Sequence, residues 1–79
     1  MKKYENKNNV IGNLIKEYRE KANLSKSELS RQLQLHAVYI DRTELVRMES
    51  GRMIIKDFEL IALCKVLKIP FNALADLIE

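Results

Sequence analysis

The chain contains a single cysteine, Cys64, so no disulfide can form within it and an intracellular location is expected. One proline and two glycines leave few turn residues, and no Asn-Gly or Asp-Gly pair predicts a β-hairpin. No apolar run approaches the roughly 20 residues of a membrane-spanning helix. Polar residues follow the Met1-Lys2-Lys3 start, where a signal peptide would carry its apolar core. We therefore expect a cytoplasmic protein with no membrane partner.

His36 is the only histidine, and neither an acid–base partner nor a metal-ligand spacing accompanies it. Cys64 lies within an apolar helical pattern, so we interpret it as a core residue. The sequence also lacks a nucleophile–base constellation and a phosphate-binding glycine loop. We therefore predict no enzymatic activity, no metal, no cofactor and no small-molecule ligand.

What is present fits one small folded domain. The chain has 79 residues, of which 47% are hydrophobic, so a single core is expected, and helices packed around it are the economical solution. The formal net charge is +3. This mildly basic balance is compatible with an anionic partner but does not by itself identify one.

The first part of the chain predicts an arm and two helices. Residues 1–9 lack a periodic apolar pattern, which predicts a flexible N-terminal arm, with a basic tail that touches phosphate as the alternative. The folded domain is then expected over residues 10–79. Helical spacing then predicts a first helix from Val10 to about Ala22, capped by Asn8 or Asn9. Ser25 and Glu28 have the spacing of a capping box and begin a second helix that extends to about residue 35.

The later segments predict a connector and two further helices. In the connector 34–40, Leu35, Val38 and Ile40 are expected to be buried. The fourth helix, DFELIALCKVLK, is apolar around much of its circumference, including Phe58 and Ile61, so we expect it to be the central helix. Pro70 ends this run, and a fifth helix is predicted over residues 71–78.

The most informative stretch is DRTELVRMESGR, residues 41–52. Asp41 has the character of an N-cap, Leu45 and Met48 share one helical face, and Gly51 stands just past the end. A short helix with arginines on its free face is what insertion into a DNA major groove requires. The free face carries Arg42, Thr43, Val46 and Arg47.

Three segments together resemble the phage-repressor type of helix-turn-helix domain, the Xre or lambda-repressor-like family. They are IGNLIKEYREKANLSKSELSRQL, DRTELVRMESGR and DFELIALCKVLKIPFNAL, and the resemblance covers Val10 to about Leu77. Its most specific parts are L-S-x-x-E-L and R-M-E-S-G. The resemblance implies an all-α, compact five-helix domain. The turn between the second and third helices is lengthened here, and in related domains with this connector a glycine often stands where Ala37 is.

The resemblance also implies roles for individual residues. The recognition helix would span about residues 42–50, and its Glu49 would form a structural ion pair with Arg19. Glu44 is equally compatible with a local structural role, because its charge opposes phosphate, and Tyr39 fits packing better than DNA contact. The implied base contacts are Arg42, Thr43, Glu44 and Arg47, and the implied phosphate contacts are Lys26, Ser50, Arg52 and Lys56.

These roles predict a sequence-specific transcriptional regulator of double-stranded DNA, with repression the favoured activity. A homodimer is expected through the C-terminal helix, which carries Phe71, Leu74, Leu77 and Ile78. The alternative is a protein-interaction module, antitoxin-like or adaptor, for which Glu44 and the apolar Met53-Ile54-Ile55 segment are the motivation.

Overall fold

Five α-helices form the fold in the computed structural model, which describes residues 6–78. No strand occurs within that range, so the expected all-α fold is confirmed. None of the helices in the described range combines the length and the hydropathy needed to cross a lipid bilayer. The helices are α1 (Gly12–Lys21), α2 (Lys26–Gln34), α3 (Arg42–Glu49), α4 (Asp57–Leu67) and α5 (Phe71–Ala75).

The core lies between two pairs of helices, because α1 and α2 each pack against both α3 and α4. The inner face of α3 contributes Leu45 and Met48, both with no exposed surface, as their three-residue spacing predicted. Burial of these side chains fixes the rotation of α3 about its own axis. The largest fully buried side chains are Ile15, Leu29, Leu33, Ile40, Leu45, Met48 and Leu63.

The first four helices each end at a left-handed residue and share the long hydrogen bond of the Schellman motif. In each motif the amide that follows the left-handed residue donates to the carbonyl five residues earlier. These bonds are Leu24 to Arg19 (3.1 Å), Val38 to Leu33 (3.1 Å), Arg52 to Arg47 (2.9 Å) and Ile69 to Cys64 (3.0 Å). The left-handed residues are Asn23, Ala37, Gly51 and Lys68.

The residue after each left-handed position shows how α3 differs from the other helices. Val38 and Ile69 are buried there and Leu24 is half-buried, as this motif favours. Arg52 occupies the same position after α3 and is exposed. The end of α3 therefore presents a cation where its counterparts present an apolar anchor.

The lengthened turn between α2 and α3 is an ordered structure. Ala37 adopts φ of 59°, which explains the glycine preference at this position, and Ser30 Oγ donates to the Ile40 carbonyl at 2.6 Å. Val38 and Ile40 are buried as expected, with 8% and 1% exposure. The prediction for Leu35 is wrong: it is 78% exposed, because it lies on the opposite side of the helical turn from buried Leu33.

Two expectations for the last helices are also wrong. The fourth helix is not central: Phe58 is 52% and Ile61 67% exposed, because α4 buries only its other side against α1 and α2. The fifth helix ends at Ala75 instead of residue 78. Beyond Ala75 the amides of Leu77 and Ile78 donate to carbonyls three residues earlier, both at 3.2 Å, which tightens the last turn.

Replacing Ala37 by glycine is expected to stabilise the fold. The left-handed conformation costs an L-residue ~1–2 kcal/mol, and the added freedom of glycine in the unfolded chain costs ~0.4–1 kcal/mol. The Ala37→Gly variant should therefore gain roughly 0.5–1 kcal/mol in free energy of unfolding, measured in urea. Ala22→Gly is the control, because Ala22 has φ of −83° and should only lose stability. A loss at Ala37 equal to that at Ala22 would contradict this explanation.

Candidate nucleic-acid interface

The outer face of α3 forms one continuous exposed surface. Arg42, Val46 and Ser50 follow each other at intervals of four residues, and Thr43 and Arg47 form a second row beside them. All five are exposed. No side-chain partner of Arg42 or Arg47 occurs among residues 6–78, so both guanidinium groups are available to an external ligand.

The N-terminal end of α3 is fixed by a capping box between Asp41 and Glu44. Asp41 Oδ1 accepts from the Glu44 amide at 2.7 Å, and Glu44 Oε1 accepts from the Asp41 amide at 3.0 Å. The sequence interpretation recognised the cap but not the reciprocal bond, although the D-x-x-E spacing signals it. Because the Glu44 carboxylate is engaged locally, the structural role of Glu44 is favoured over base contact.

The C-terminal end of α3 is held by the side chain of Asn9. Asn9 Nδ2 donates to the carbonyls of Met48 (3.1 Å) and Met53 (2.7 Å). Asn9 Oδ1 accepts from the amides of Ile11 (3.1 Å) and Gly12 (2.9 Å), so the same residue holds the turn that leads into α1. One side chain therefore begins α1 and satisfies a terminal carbonyl of α3.

The residues before Asn9 extend these contacts. The Asn8 amide donates to the Gly51 carbonyl and its Nδ2 to the Arg52 carbonyl, each at 2.9 Å. The aliphatic part of Lys7 lies over Gly51, with Cδ 3.1 Å from where a β-carbon of residue 51 would stand. The predicted arm therefore has ordered contacts before Val10, at its C-terminal end. Residues 1–5 of that arm lie outside the described residues.

Gly12 allows the start of α1 to abut the end of α3 directly. A β-carbon at residue 12 would stand 2.4 Å from the Met48 carbonyl oxygen and 2.7 Å from that of Glu49. These neighbours are backbone atoms, which cannot rotate away as the end of a side chain would. The glycine is thus required by the close approach of the two helices.

A buried ion pair joins the middle of the fold to α3. Arg19 donates from Nε to Glu49 Oε2 (2.7 Å) and from Nη2 to Glu49 Oε1 (3.1 Å), and the two side chains are 8% and 5% exposed. Arg19 Nη1 also donates to the Leu24 carbonyl at 2.8 Å. The Glu49 carboxylate raises the pKa of Arg19 through these hydrogen bonds. This geometry is the structural pair that the resemblance implies.

The acidic residues at α3 are thereby all engaged: Asp41 and Glu44 bond to backbone amides, and Glu49 bonds to Arg19. The exposed charges on the outer face are Arg42 and Arg47. The outer face therefore presents positive charge without a competing free carboxylate of the same helix.

A groove of about 290 Å³ runs beside α3 toward α1 and α2. Of the predicted phosphate contacts, Lys26 and Ser50 line this groove together. Lys26 is the first residue of α2, whose exposed amide end favours anions. Asn13 and Lys16 of α1 were not predicted here; their only sequence signal is their place on the polar side of α1. The lining residues are Asn13, Lys16, Lys26, Val46, Glu49 and Ser50.

The start of α2 is itself fixed by its own capping box. Ser25 Oγ accepts from the Glu28 amide at 3.1 Å, and Glu28 Oε1 accepts from the Ser25 amide at 2.8 Å, as the sequence predicted. The hydrogen bond from the Ser25 amide lowers the pKa of Glu28. The predicted anion-binding end of α2 thus has a defined backbone conformation.

The remaining two predicted phosphate contacts lie elsewhere. Arg52 is exposed directly after Gly51, adjacent to Ser50 along the chain. Lys56 instead directs its Nζ to 5.9 Å from the ring centroid of Phe58 at the start of α4. The structure therefore associates Lys56 with α4 and does not place it in the groove with Lys26 and Ser50.

Residues 6–78 contain no group of three or more histidine, cysteine or acidic side chains able to hold a metal ion. His36 is exposed, and Cys64 is half-buried in α4, where burial raises the pKa of its thiol.

Comparison with known proteins supports the pairing of α2 with α3. The model of a helix-turn-helix family matches residues 15–74, which include all of α2, α3 and α4. No curated protein and no solved structure matches the chain significantly.

Breaking the Arg19–Glu49 pair from one side is expected to be costly. Arg19→Met leaves a buried carboxylate without its partner and should lower the free energy of unfolding by ~3–5 kcal/mol. The double variant Arg19→Met/Glu49→Leu removes both charges and should recover most of that loss. Urea denaturation measures both, with the exposed pair Glu17–Lys21 (3.1 Å) as control, where Lys21→Ala should change stability by less than ~1 kcal/mol. Equal losses at the two pairs would show that burial does not govern this interaction.

Proposed function

We propose that this chain, which belongs to the Xre/lambda-repressor-like helix-turn-helix family, is a sequence-specific repressor. Members of this family bind DNA as transcriptional regulators and are not enzymes. The supporting observation is the outer face of α3: exposed, bearing two unpartnered arginines, and fixed at both ends. A helix of this diameter fits the major groove of B-form DNA, and its rigid attachment limits the entropy lost on binding.

The base contacts follow from side-chain chemistry. Arg42 and Arg47 each carry a guanidinium fork that matches O6 and N7 of guanine. Thr43 offers a hydroxyl and a methyl group, and Val46, 42% exposed between the arginines, is suited to the methyl group of thymine. Glu44 is left out of this set because its carboxylate closes the capping box.

Phosphate contacts flank this face and set its register on the duplex. Lys26 would hold one phosphate in the groove beside α3, which Asn13 and Lys16 also line. Ser50 would join it by turning its hydroxyl away from the Arg47 carbonyl, to which it donates at 2.9 Å. Arg52 would hold a second, because the Schellman turn after Gly51 directs it away from the core. Lys56 is the weakest member of the predicted set.

Two copies would read two half-sites about one helical turn apart, as helix-turn-helix dimers do. The C-terminal segment supplies apolar surface for dimerisation: Phe71 is 77% and Ile78 66% exposed. Leu74 and Leu77 are half-buried against the core and support that surface from beneath. A repressor needs no further chemistry, since a protein bound at an operator is sufficient to block transcription.

Replacement of Arg47 tests base reading. Selection from random duplex DNA supplies an operator, and fluorescence anisotropy then compares wild type with Arg47→Ala. Loss of a bidentate base contact should weaken specific binding by ~1–3 kcal/mol and relax the preference at one base pair. Lys21→Ala is the charge-matched control on α1. If Arg47→Ala keeps both the affinity and the sequence preference of wild type, Arg47 does not read bases.

The alternative of a protein-interaction module has weaker support. The apolar segment Met53-Ile54-Ile55 was one motivation for this alternative. Met53 and Ile55 are half-buried against the core, and only Ile54 is exposed, at 67%. Glu44, the other motivation, is engaged in its cap.

A salt titration separates the two functions. If several lysine and arginine side chains neutralise phosphates, the logarithm of the association constant should fall by ~0.9 for each such phosphate per tenfold increase in salt. Three such contacts give a slope of roughly 2.7 logarithmic units per tenfold increase in salt. With three or more contacts, the affinity for duplex DNA should therefore fall at least several hundred-fold between about 0.05 and 0.5 M salt. Absence of binding to any duplex at low salt would favour the protein-interaction module.

A further inference from the structure

A second groove, of about 290 Å³, lies on the side of α4 that faces solvent. Phe58 and Ile61 form one wall and remain 52% and 67% exposed, so this wall offers apolar surface to a partner. The connector after α2 forms the other wall with Val38. We call this the α4 groove; its lining is His36, Val38, Phe58, Ile61, Ala62 and Lys65.

The charge around the α4 groove is positive. Lys65 lies in the lining, where no carboxylate occurs among the described residues. Lys56 Nζ is 5.9 Å from the ring centroid of Phe58, and Lys68 follows one turn after Lys65. Asp57, which accepts from the Phe58 amide through Oδ1 at 2.6 Å, is the nearby opposing charge, and the three lysines outnumber it. An occupant should therefore be apolar and acidic.

The C-terminal segment of the same chain has this composition. After Lys68 the sequence is IPFNALADLIE, with two acidic residues, Asp76 and Glu79, and no lysine or arginine. Within the described part of this segment, Asp76 is exposed, and Phe71 and Ile78 are the two most exposed apolar side chains. Because these side chains are exposed in the single chain, its own α4 groove does not receive them.

We propose that the occupant of the α4 groove is the C-terminal segment, residues 71–78, of a second copy of this chain. Phe71 and Ile78 of one copy pack on Phe58 and Ile61 of the other, and Asp76 faces Lys65. The exchange is reciprocal, so a twofold axis relates the copies and both grooves are filled at once. The proposal rests on the dimeric regulator proposed above and specifies which surface receives the C-terminal segment.

A charge-swap experiment tests this without DNA. Sedimentation equilibrium measures dimerisation of wild type, Lys65→Glu and Asp76→Lys. Each variant alone sets like charges together at both contacts, so its dimer dissociation constant should rise at least tenfold. In an equimolar mixture of the two variants, the two substituted side chains meet as a reversed ion pair at one contact. The native pair of Lys65 with Asp76 stands at the other contact, so dimerisation should return.

Two further variants complete the test. Phe71→Ser should weaken dimerisation as strongly as either charge reversal, because it removes apolar contact. Lys21→Glu, on α1, is the control and should leave dimerisation unchanged. Circular dichroism verifies that each variant is folded. Folding is expected because every substituted side chain is exposed, including that of Phe71.

Three results would overturn the proposal: a monomeric wild type at millimolar concentration, a dimer unaffected by Lys65→Glu, or a mixture that fails to associate. Binding to a single half-site by anisotropy keeps the two proposals apart. A wild type that does not dimerise but still binds a half-site would contradict the α4 groove assignment alone. An intact dimer that binds no DNA would contradict the proposed function and leave the α4 groove assignment standing.

Discussion

An eight-residue helix cannot maintain itself in water, and this constraint explains most of what surrounds α3. Its inner face is buried through Leu45 and Met48, its first turn is closed by Asp41 and Glu44, and its last turn is tied to Arg19. The cap is local to this segment, whereas the helices that bury the inner face and the arginine that pairs with Glu49 come from other parts of the chain. The position of α3 is thus a property of the whole domain.

The amino-acid pattern predicted the helices because their signals are local. Capping residues, apolar spacing and the glycine after α3 act within a few residues, and they gave α2 and α3 nearly to the residue. The predictions failed where a residue's environment depends on distant segments. Phe58 and Ile61 are apolar yet exposed, and only the packing of α4 against α1 and α2 shows why.

The residues of the candidate site likewise differ in whether local sequence signals could identify them. The arginines of α3 could be identified from helical spacing and the resemblance, since both concern one short segment. The double role of Asn9 could not, because its bonds to Met48 and Met53 join residues 39 and 44 positions apart in the chain. Asn13 and Lys16 were missed for the same reason: their proximity to Lys26 exists only once α1 and α2 are both packed against α3.

The bonds of Asn8 and Asn9 have a practical consequence for handling the protein. They place the point where the chain enters the domain beside Gly51 and Arg52, next to the surface proposed to meet the duplex. A cationic or bulky group attached at Lys7 or Asn8 would therefore lie close to that surface and change the apparent affinity for a duplex. Protein prepared for binding measurements should keep this end native.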